Sequence, residues 1–487
     1  MLLQSVFFLY YFCLVFCLVW LTPKSLRWLP LLAASFFFVA YGHPGHLLFL
    51  VLPTLVAYAA ARRLAALPPE ARKARKRWLW AALILILGSL VAVKYVNFFM
   101  GTAAGVVSLF GSGWTWKPLK MILPIGISCY TFRLIGYLID VYFKRIPAET
   151  HAGRFALFAS FFPQVSAGPI ERAGRFLPLL RHPETFSAER IFSGASQAAW
   201  GFFKKMVIAD RLAVFVDPVF ADPSGQGLNL VFAAWLYAFQ IYCDFSGYTD
   251  IAIGLARMLG YESAPNFNRP YLSVGIADFW SRWHISLSTW LRDYLFLPVS
   301  YAVMRPLKQD RLFGVKVESW AYITSALLTM TLCGLWHGPT WAFVFWGALH
   351  GAFMIAGQLG RKRRRRWARK AGLTSRPALL RALRVILTFN LISFAWIFFR
   401  APTLSKAFAY LHFLQLKINP SGWSFLVVGV LLILVLLGGE RLAASDKSSG
   451  WWSRRPLPLR GAALALFVCL IILFAVDTGN EFIYIQF

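Results

Sequence analysis

Unbroken apolar runs govern what this chain can fold into. "LLQSVFFLYYFCLVFCLVW" (2–20), "WLWAALILILGSLVAV" (78–93), "FLVVGVLLILVLLGG" (425–439) and "AALALFVCLIILFAV" (462–476) reach or approach the length that crosses a hydrocarbon layer. In such a layer every backbone amide must find its partner within its own segment, which selects α-helix. With 59% hydrophobic and only 14% charged residues over 487 positions, a string of soluble domains is not the solution. The expected fold class is an all-α polytopic membrane protein, a helical bundle of roughly ten or more membrane segments. The first run has full spanning length and no small-residue cleavage site follows it, so it reads as a first span rather than a signal peptide.

The net charge of +30 is concentrated in loops. "RRLAALPPEARKARKR" (62–77) holds seven basic residues and one Glu, and "RKRRRRWARK" (361–370) holds eight and no acid. Both lie between apolar runs, the positive-inside pattern that assigns them to the cytoplasm and to anionic lipid or an acidic ligand, not to nucleic acid. Counting from these loops, 2–21, 47–61, 119–143 and 423–439 are expected to run inward, and 28–42, 79–100, 380–399 and 461–476 outward. Both termini and the uncharged stretch 101–116 then face outside. The six cysteines are scattered without C-x-x-C spacing and read as apolar fillers.

A single integral-membrane domain is expected, with N-terminal spans over 1–154, a catalytic core over 155–360 and C-terminal spans over 361–487. The core is less regular than its flanks. It contains "FFPQVSAGPIER" (161–172), "YCDFSGYTD" (242–250) and "NFNRPYLSVGIADFWSRWHISLSTWLRDYLFLP" (266–298). Polar, irregular backbone at membrane depth is tolerated where protein buries it or water lines it, which marks this region as functional.

"LCGLWHGPTWAFVFWGALHG" (332–351) places two histidines in an apolar stretch with no acidic or basic neighbour. In an unbroken helix, positions 337 and 350 would point to nearly opposite faces about 20 Å apart, so they do not form a dyad. No H-E-x-x-H or other close ligand cluster occurs, and no metal is expected. Gly338-Pro339 suits the first turn of a helix. His337 is therefore expected just before a helix that runs to about Leu359. Burial and the positive helix end would keep it neutral, while free amides near Gly338 would steady a developing negative charge. On the residues alone, a catalytic base and a packed histidine are equally open readings. His350, between Gly347 and Gly351, reads as interhelical packing. His284 is expected within a polar set of Arg282, Arg292, Asp293, Ser286 and Ser288, where it would bind a polar ligand or anchor an interfacial helix. The remaining histidines carry no assignment.

Taken together, "FFPQVSAGPIER", "YCDFSGYTDIAIGLARMLGY", the 266–298 stretch, "GLWHGPTWAFVFWGALHG" and the terminal "EFIYIQF" resemble the membrane-bound O-acyltransferase family. The resemblance is closest to its bacterial branch of alginate O-acetylases and teichoic-acid D-alanyl transferases. It implies that His337 is the catalytic histidine and that His284 is the second histidine of that branch. Arg282, Trp283, Trp336, Asp293 and Ser246 become candidate substrate-binding residues. It further implies short re-entrant or interfacial helices around a central tunnel. An acyl thioester, acetyl-CoA or another, would enter from the cytosol as a substrate, with no permanently bound cofactor. The expected product is an O-acetylated exported polysaccharide, made at a bacterial inner membrane with a periplasmic acetyltransferase or other polysaccharide-modifying partner. The rivals are D-alanyl transfer from a carrier protein and a non-enzymatic transporter. Ser281 stands where the family usually has a first arginine before the R-W-H segment, and "VSYAVMRP" replaces its usual glycine-rich turn.

Overall fold

Apolar sequence that must satisfy its own amides yields helix almost throughout. The computed structural model describes residues 3–111, 113–121, 123–306, 309–417, 422–443, 454–476 and 482–483. Among the described residues, strand is confined to Arg311–Leu312 and Val315–Lys316, paired antiparallel across Phe313 and Gly314. Both of those turn residues have positive φ, as a two-residue hairpin demands.

The protein is a polytopic membrane protein, with fewer full-length spans among the described residues than expected. Among the described residues, six helices are long and apolar enough to cross: His46–Ala66, Arg72–Ser108, Trp341–Leu359, Pro377–Arg400, Trp423–Leu442 and Leu457–Phe474. Three expected spans are too short. The segments assigned to 2–21, 28–42 and 119–143 form the helices Val6–Leu21, Trp28–Ala40 and Ile127–Tyr142, of 16, 13 and 16 residues. At 1.5 Å per residue they reach about 20–24 Å, short of a hydrocarbon core of about 30 Å. Ile127–Tyr142 also buries nearly its whole surface, which no lipid-facing span does. Apolar composition marks a buried core helix and a span alike, and only length separates them. Ser112 and Phe487, where labelling would report the expected topology, lie outside the described residues, as does most of the terminal "EFIYIQF".

The chain forms two compact units, Met1–Ala198 with Tyr248–Ala264, and Ala199–Gly247 with Pro265–Phe487. In the first, the irregular "FFPQVSAGPIER" segment is tied down from within. Arg133, fully buried, donates to the carbonyls of Phe158, Gln164 and Pro169 at 3.3, 3.2 and 3.0 Å. Gln164 donates to Ser263 Oγ at 2.5 Å, and Glu171 Oε1 accepts from Ala264 N at 2.7 Å. One guanidinium thus replaces the helical partners that a Pro- and Gly-broken backbone lacks. The first basic cluster is partly structural as well: Arg75 is buried and donates to the carbonyls of Leu64 and Tyr142.

In the second unit, helices Val317–His337 and Trp341–Leu359 form a tight hairpin. A β-carbon on Gly334 would lie 2.1 Å from Phe343 O, and one on Gly347 would lie 2.1 Å from Met330 O. Such small-residue contacts let backbones approach where lipid offers no hydrophobic driving force. Gly347→Ala should therefore destabilise the protein by about 3 kcal/mol. Gly438→Ala, with nothing within 4 Å of the added carbon, should leave thermal unfolding in detergent unchanged. Equal unfolding midpoints for the two variants would show that the hairpin tolerates separation.

Candidate active site

The hairpin turn carries His337, though not in the expected setting. His337 is the last residue of Val317–His337, Gly338 is extended (φ −164°), and Thr340 caps the following helix by accepting from Phe343 N. The helical register of 332–336 simply continues through His337, and Pro339 lies in the link rather than in a first turn. The Gly338 amide is also engaged, donating to Gly334 O at 3.4 Å, while Thr340 N donates to Gly338 O at 2.9 Å. The expected free amides at Gly338 are therefore not available for a developing anion. What surrounds His337 instead is aromatic. Its ring meets Trp336, Trp346 and Phe399 nearly edge-on, at centroid distances of 4.9, 5.2 and 5.3 Å, and only 3% of the residue is exposed. A β-carbon on Gly338 would lie 2.3 Å from the Phe343 ring, so the turn beside the imidazole admits only glycine.

His284 is held by a second device. The "NFN" stretch runs against the R-W-H segment: Asn268 N donates to Arg282 O and Ile285 N donates to Asn266 O, each at 2.9 Å. Asn266 Oδ1 accepts from Ser286 N at 3.1 Å and from Ser286 Oγ at 2.8 Å. A backbone amide can only donate, so the Asn266 atom at this point is oxygen. That same oxygen lies 3.1 Å from His284 Nδ1. Nδ1 therefore carries the proton, and Nε2 is the basic nitrogen. His284 adopts a left-handed backbone (φ 43°, ψ 55°), a conformation that costs a non-glycine residue about 1–3 kcal/mol and that persists where the surroundings enforce it. Outside the six spans and fully buried, it has its imidazole pushed down to about 3 by desolvation, so it is neutral at any physiological pH. Phe245 stands edge-on to it at 4.7 Å and Trp336 lies 6.1 Å away. Trp336 thus packs against both histidines.

The polar set expected around His284 resolves into local pairs. Arg282 Nε binds Asp278 Oδ1 at 2.7 Å, Arg292 Nε binds Asp293 Oδ1 at 2.8 Å, and Ser288 Oγ donates to Trp283 O at 3.1 Å. From this set Ser286 reaches the ring, 3.5 Å from Nδ1. Trp283 is wholly buried among Phe267, Phe279 and Trp396, and Ser246 accepts from Lys204 Nζ at 2.8 Å. His350 packs as expected: it is fully buried, and Trp280 Nε1 donates to its Nδ1 at 3.3 Å.

Two features escaped the sequence. One is Asn266. The other is a buried ionic cluster, in which Lys205 Nζ bridges Asp244 Oδ1 at 2.8 Å and Asp210 Oδ1 at 2.9 Å, while Asp244 Oδ2 accepts from Ile483 N at 2.8 Å. Lys204 and Lys205 sit on the π-helical turn Phe203–Ala209, a wide turn often found near functional sites. The available signal was the pair of lysines inside an apolar run, since ionisable residues in such runs demand partners.

Comparison with known proteins places the class. Residues 144–401, which include both histidines and Asn266, match the membrane-bound O-acyltransferase family. The chain belongs to that family and is an O-acyltransferase. It is 34% identical over 445 residues to the "Probable alginate O-acetylase AlgI" of Pseudomonas aeruginosa, covering 90% of this chain and 80% of that protein. It is 33% identical over 419 residues to the peptidoglycan O-acetyltransferase of Helicobacter pylori, covering 80% and 72% respectively. Identity to the teichoic acid D-alanyltransferase of Bacillus subtilis is 28% over 286 residues, 58% of this chain and 70% of that one.

If Asn266 fixes the His284 tautomer, Asn266→Ala and His284→Ala should each lower turnover, the former by about tenfold, the worth of one buried hydrogen bond. The double variant should be no slower than His284→Ala alone. Multiplicative losses in a steady-state assay would mean that the two residues act separately.

Proposed function

We propose that the chain transfers acetyl groups from a cytosolic thioester toward O-acetylation of an exported cell-envelope polysaccharide, in the inner membrane of a bacterium. The observation that carries the catalytic assignment is His337, buried in an aromatic cage at the end of the span Trp341–Leu359 remote from the basic helix Arg361–Lys370. That span measures about 28 Å at 1.5 Å per residue. A donor arriving beside the basic helix must therefore reach inward through a tunnel, which the pantetheine-like arm of coenzyme A or a carrier protein is long enough to enter. The acetyl assignment is supported by similarity at 33–34% identity to relatives whose names specify O-acetyl transfer, against 28% for a D-alanyl transferase.

In this reading His337 takes the proton of the acceptor hydroxyl as its oxygen attacks the thioester carbonyl. The C–O bond forms, the tetrahedral intermediate collapses, the C–S bond breaks, and the thiolate leaves and receives the proton. With the Gly338 amide engaged, the donor assigned to the carbonyl oxygen is the Trp346 indole. Its Nε1–H is buried without a partner among the described residues, on a ring 5.2 Å from that of His337. His284, neutral and fixed by Asn266, orients the acceptor or relays the proton. A periplasmic partner completes delivery to the polymer.

His337→Ala should insert, keep the wild-type melting profile and lose at least about a hundredfold in acetyl transfer from labelled acetyl-CoA. Trp346→Phe should keep the cage but lower kcat with little change in donor KM. Near-normal turnover in a folded His337→Ala protein would remove the base from the mechanism. An unchanged kcat in Trp346→Phe would remove the oxyanion donor.

A further inference from the structure

A cleft of about 480 Å³ opens beside the start of the span Pro377–Arg400, lined by three arginines from two parts of the chain. Arg381 and Arg384 stand on the first two turns of that span, and Arg282 comes from the R-W-H segment. Against these three charges the lining holds a single acid, Asp278, which already binds Arg282 Nε at 2.7 Å and accepts from Val274 N at 3.0 Å. Two positive charges are left uncompensated. Neither Arg381 nor Arg384 has a side-chain partner among the described residues, and both are exposed. The walls between them are apolar, with Leu272 and Leu380.

The surroundings fix the depth of this cleft relative to lipid. Leu383, Ile386 and Leu387, on the same helix, are exposed by 45%, 58% and 58%, as expected of a face turned to acyl chains. Immediately before it lies the helix Arg361–Lys370, strongly basic, with Trp367 exposed by 68%, the composition of an interfacial segment. Arg381 and Arg384 lie four and seven residues past Pro377, about 6 and 10 Å along the helix axis, depths from which an arginine side chain snorkels back to the headgroups. An arginine fork suits phosphate oxygens, and basic clefts at this level of a helical bundle hold anionic lipid headgroups.

We propose that this cleft binds the phosphate of an anionic phospholipid, with Arg381 and Arg384 gripping the phosphate and Leu380 and Leu272 flanking the glycerol and upper acyl chain. A soluble phosphate ester would present the same chemistry to the arginines. The lipid is preferred because the cleft opens beside a lipid-facing helix surface.

The test uses the full chain in nanodiscs of phosphatidylcholine doped with phosphatidylglycerol, scoring retained phosphatidylglycerol by native mass spectrometry after gentle lipid stripping. The wild type should retain phosphatidylglycerol over phosphatidylcholine. The variant Arg381→Gln/Arg384→Gln should lose that preference by at least about tenfold, each charge at the surface being worth a severalfold change. Arg365→Gln/Arg366→Gln, which removes equal charge from the interfacial helix outside the cleft, should keep it. The charge-preserving Arg381→Lys/Arg384→Lys should retain most of it, and serves as the readout if the Gln variant fails to fold. Equal loss in the cleft and interfacial-helix variants would reduce the effect to general surface charge and overturn the site. Displacement of the retained lipid by free coenzyme A would assign the cleft to a soluble phosphate ester and overturn the lipid assignment.

Discussion

The contact between Gly334 and Gly347 sets the geometry on which the site depends. Because neither residue has a β-carbon, the backbones of Val317–His337 and Trp341–Leu359 meet with side chains of neither residue between them. That closeness lets a link of three residues, Gly338 to Thr340, join the helices and holds His337 against Trp346 of the returning helix. A wider hairpin would open the cage around the imidazole and admit water. Water would weaken the electrostatic interactions that the proposed mechanism asks of the imidazole and the Trp346 indole. The same spacing seats His350 against Trp280, which lies three residues before Trp283 and four before His284. Packing in the hairpin and placement of the second histidine are thus parts of one arrangement.

The two histidines are presented by different physical means. His337 is packed among aromatic rings that shield it from water. His284 is held by hydrogen bonds from a loop pinned to a second loop, with its tautomer dictated by an amide oxygen that must accept from Ser286 N. Trp336 touches both rings, so the two devices meet at one indole. Nearby, the second unit buries Lys205 between two carboxylates, and a paired charge of this kind is strongly destabilising to break even where it adds little net stability.

The family was legible in the sequence because its long motifs set unusual residues, His284 and His337 among them, at apolar depth. The register around His337 was not, since Gly338-Pro339 signals a helix start as readily as the short link seen here. With the Gly338 amide engaged in that link, the anion-stabilising role passes to a nearby side chain, which the proposed mechanism takes to be the Trp346 indole. Proximity in sequence suggests a polar cluster around His284, whereas Arg282 and Arg292 each find a carboxylate one turn or one residue away. Asn266 was invisible because its importance arises from a loop pairing that no local pattern encodes. Three expected spans are shorter than a full crossing for a simple physical reason. Ile127–Tyr142 is as apolar as a membrane helix, but it is short and covered by protein on nearly every side.

In the proposed reaction a base inside the protein joins a donor on one side of the membrane to an acceptor on the other. Sealed proteoliposomes of uniform protein orientation, with labelled acetyl-CoA outside and a hydroxyl acceptor trapped inside, measure this directly. Transfer across the protein should place label on the trapped acceptor, dependent on His337, with no leakage of acetyl-CoA into the lumen. Label transfer only when donor and acceptor share one compartment would contradict it.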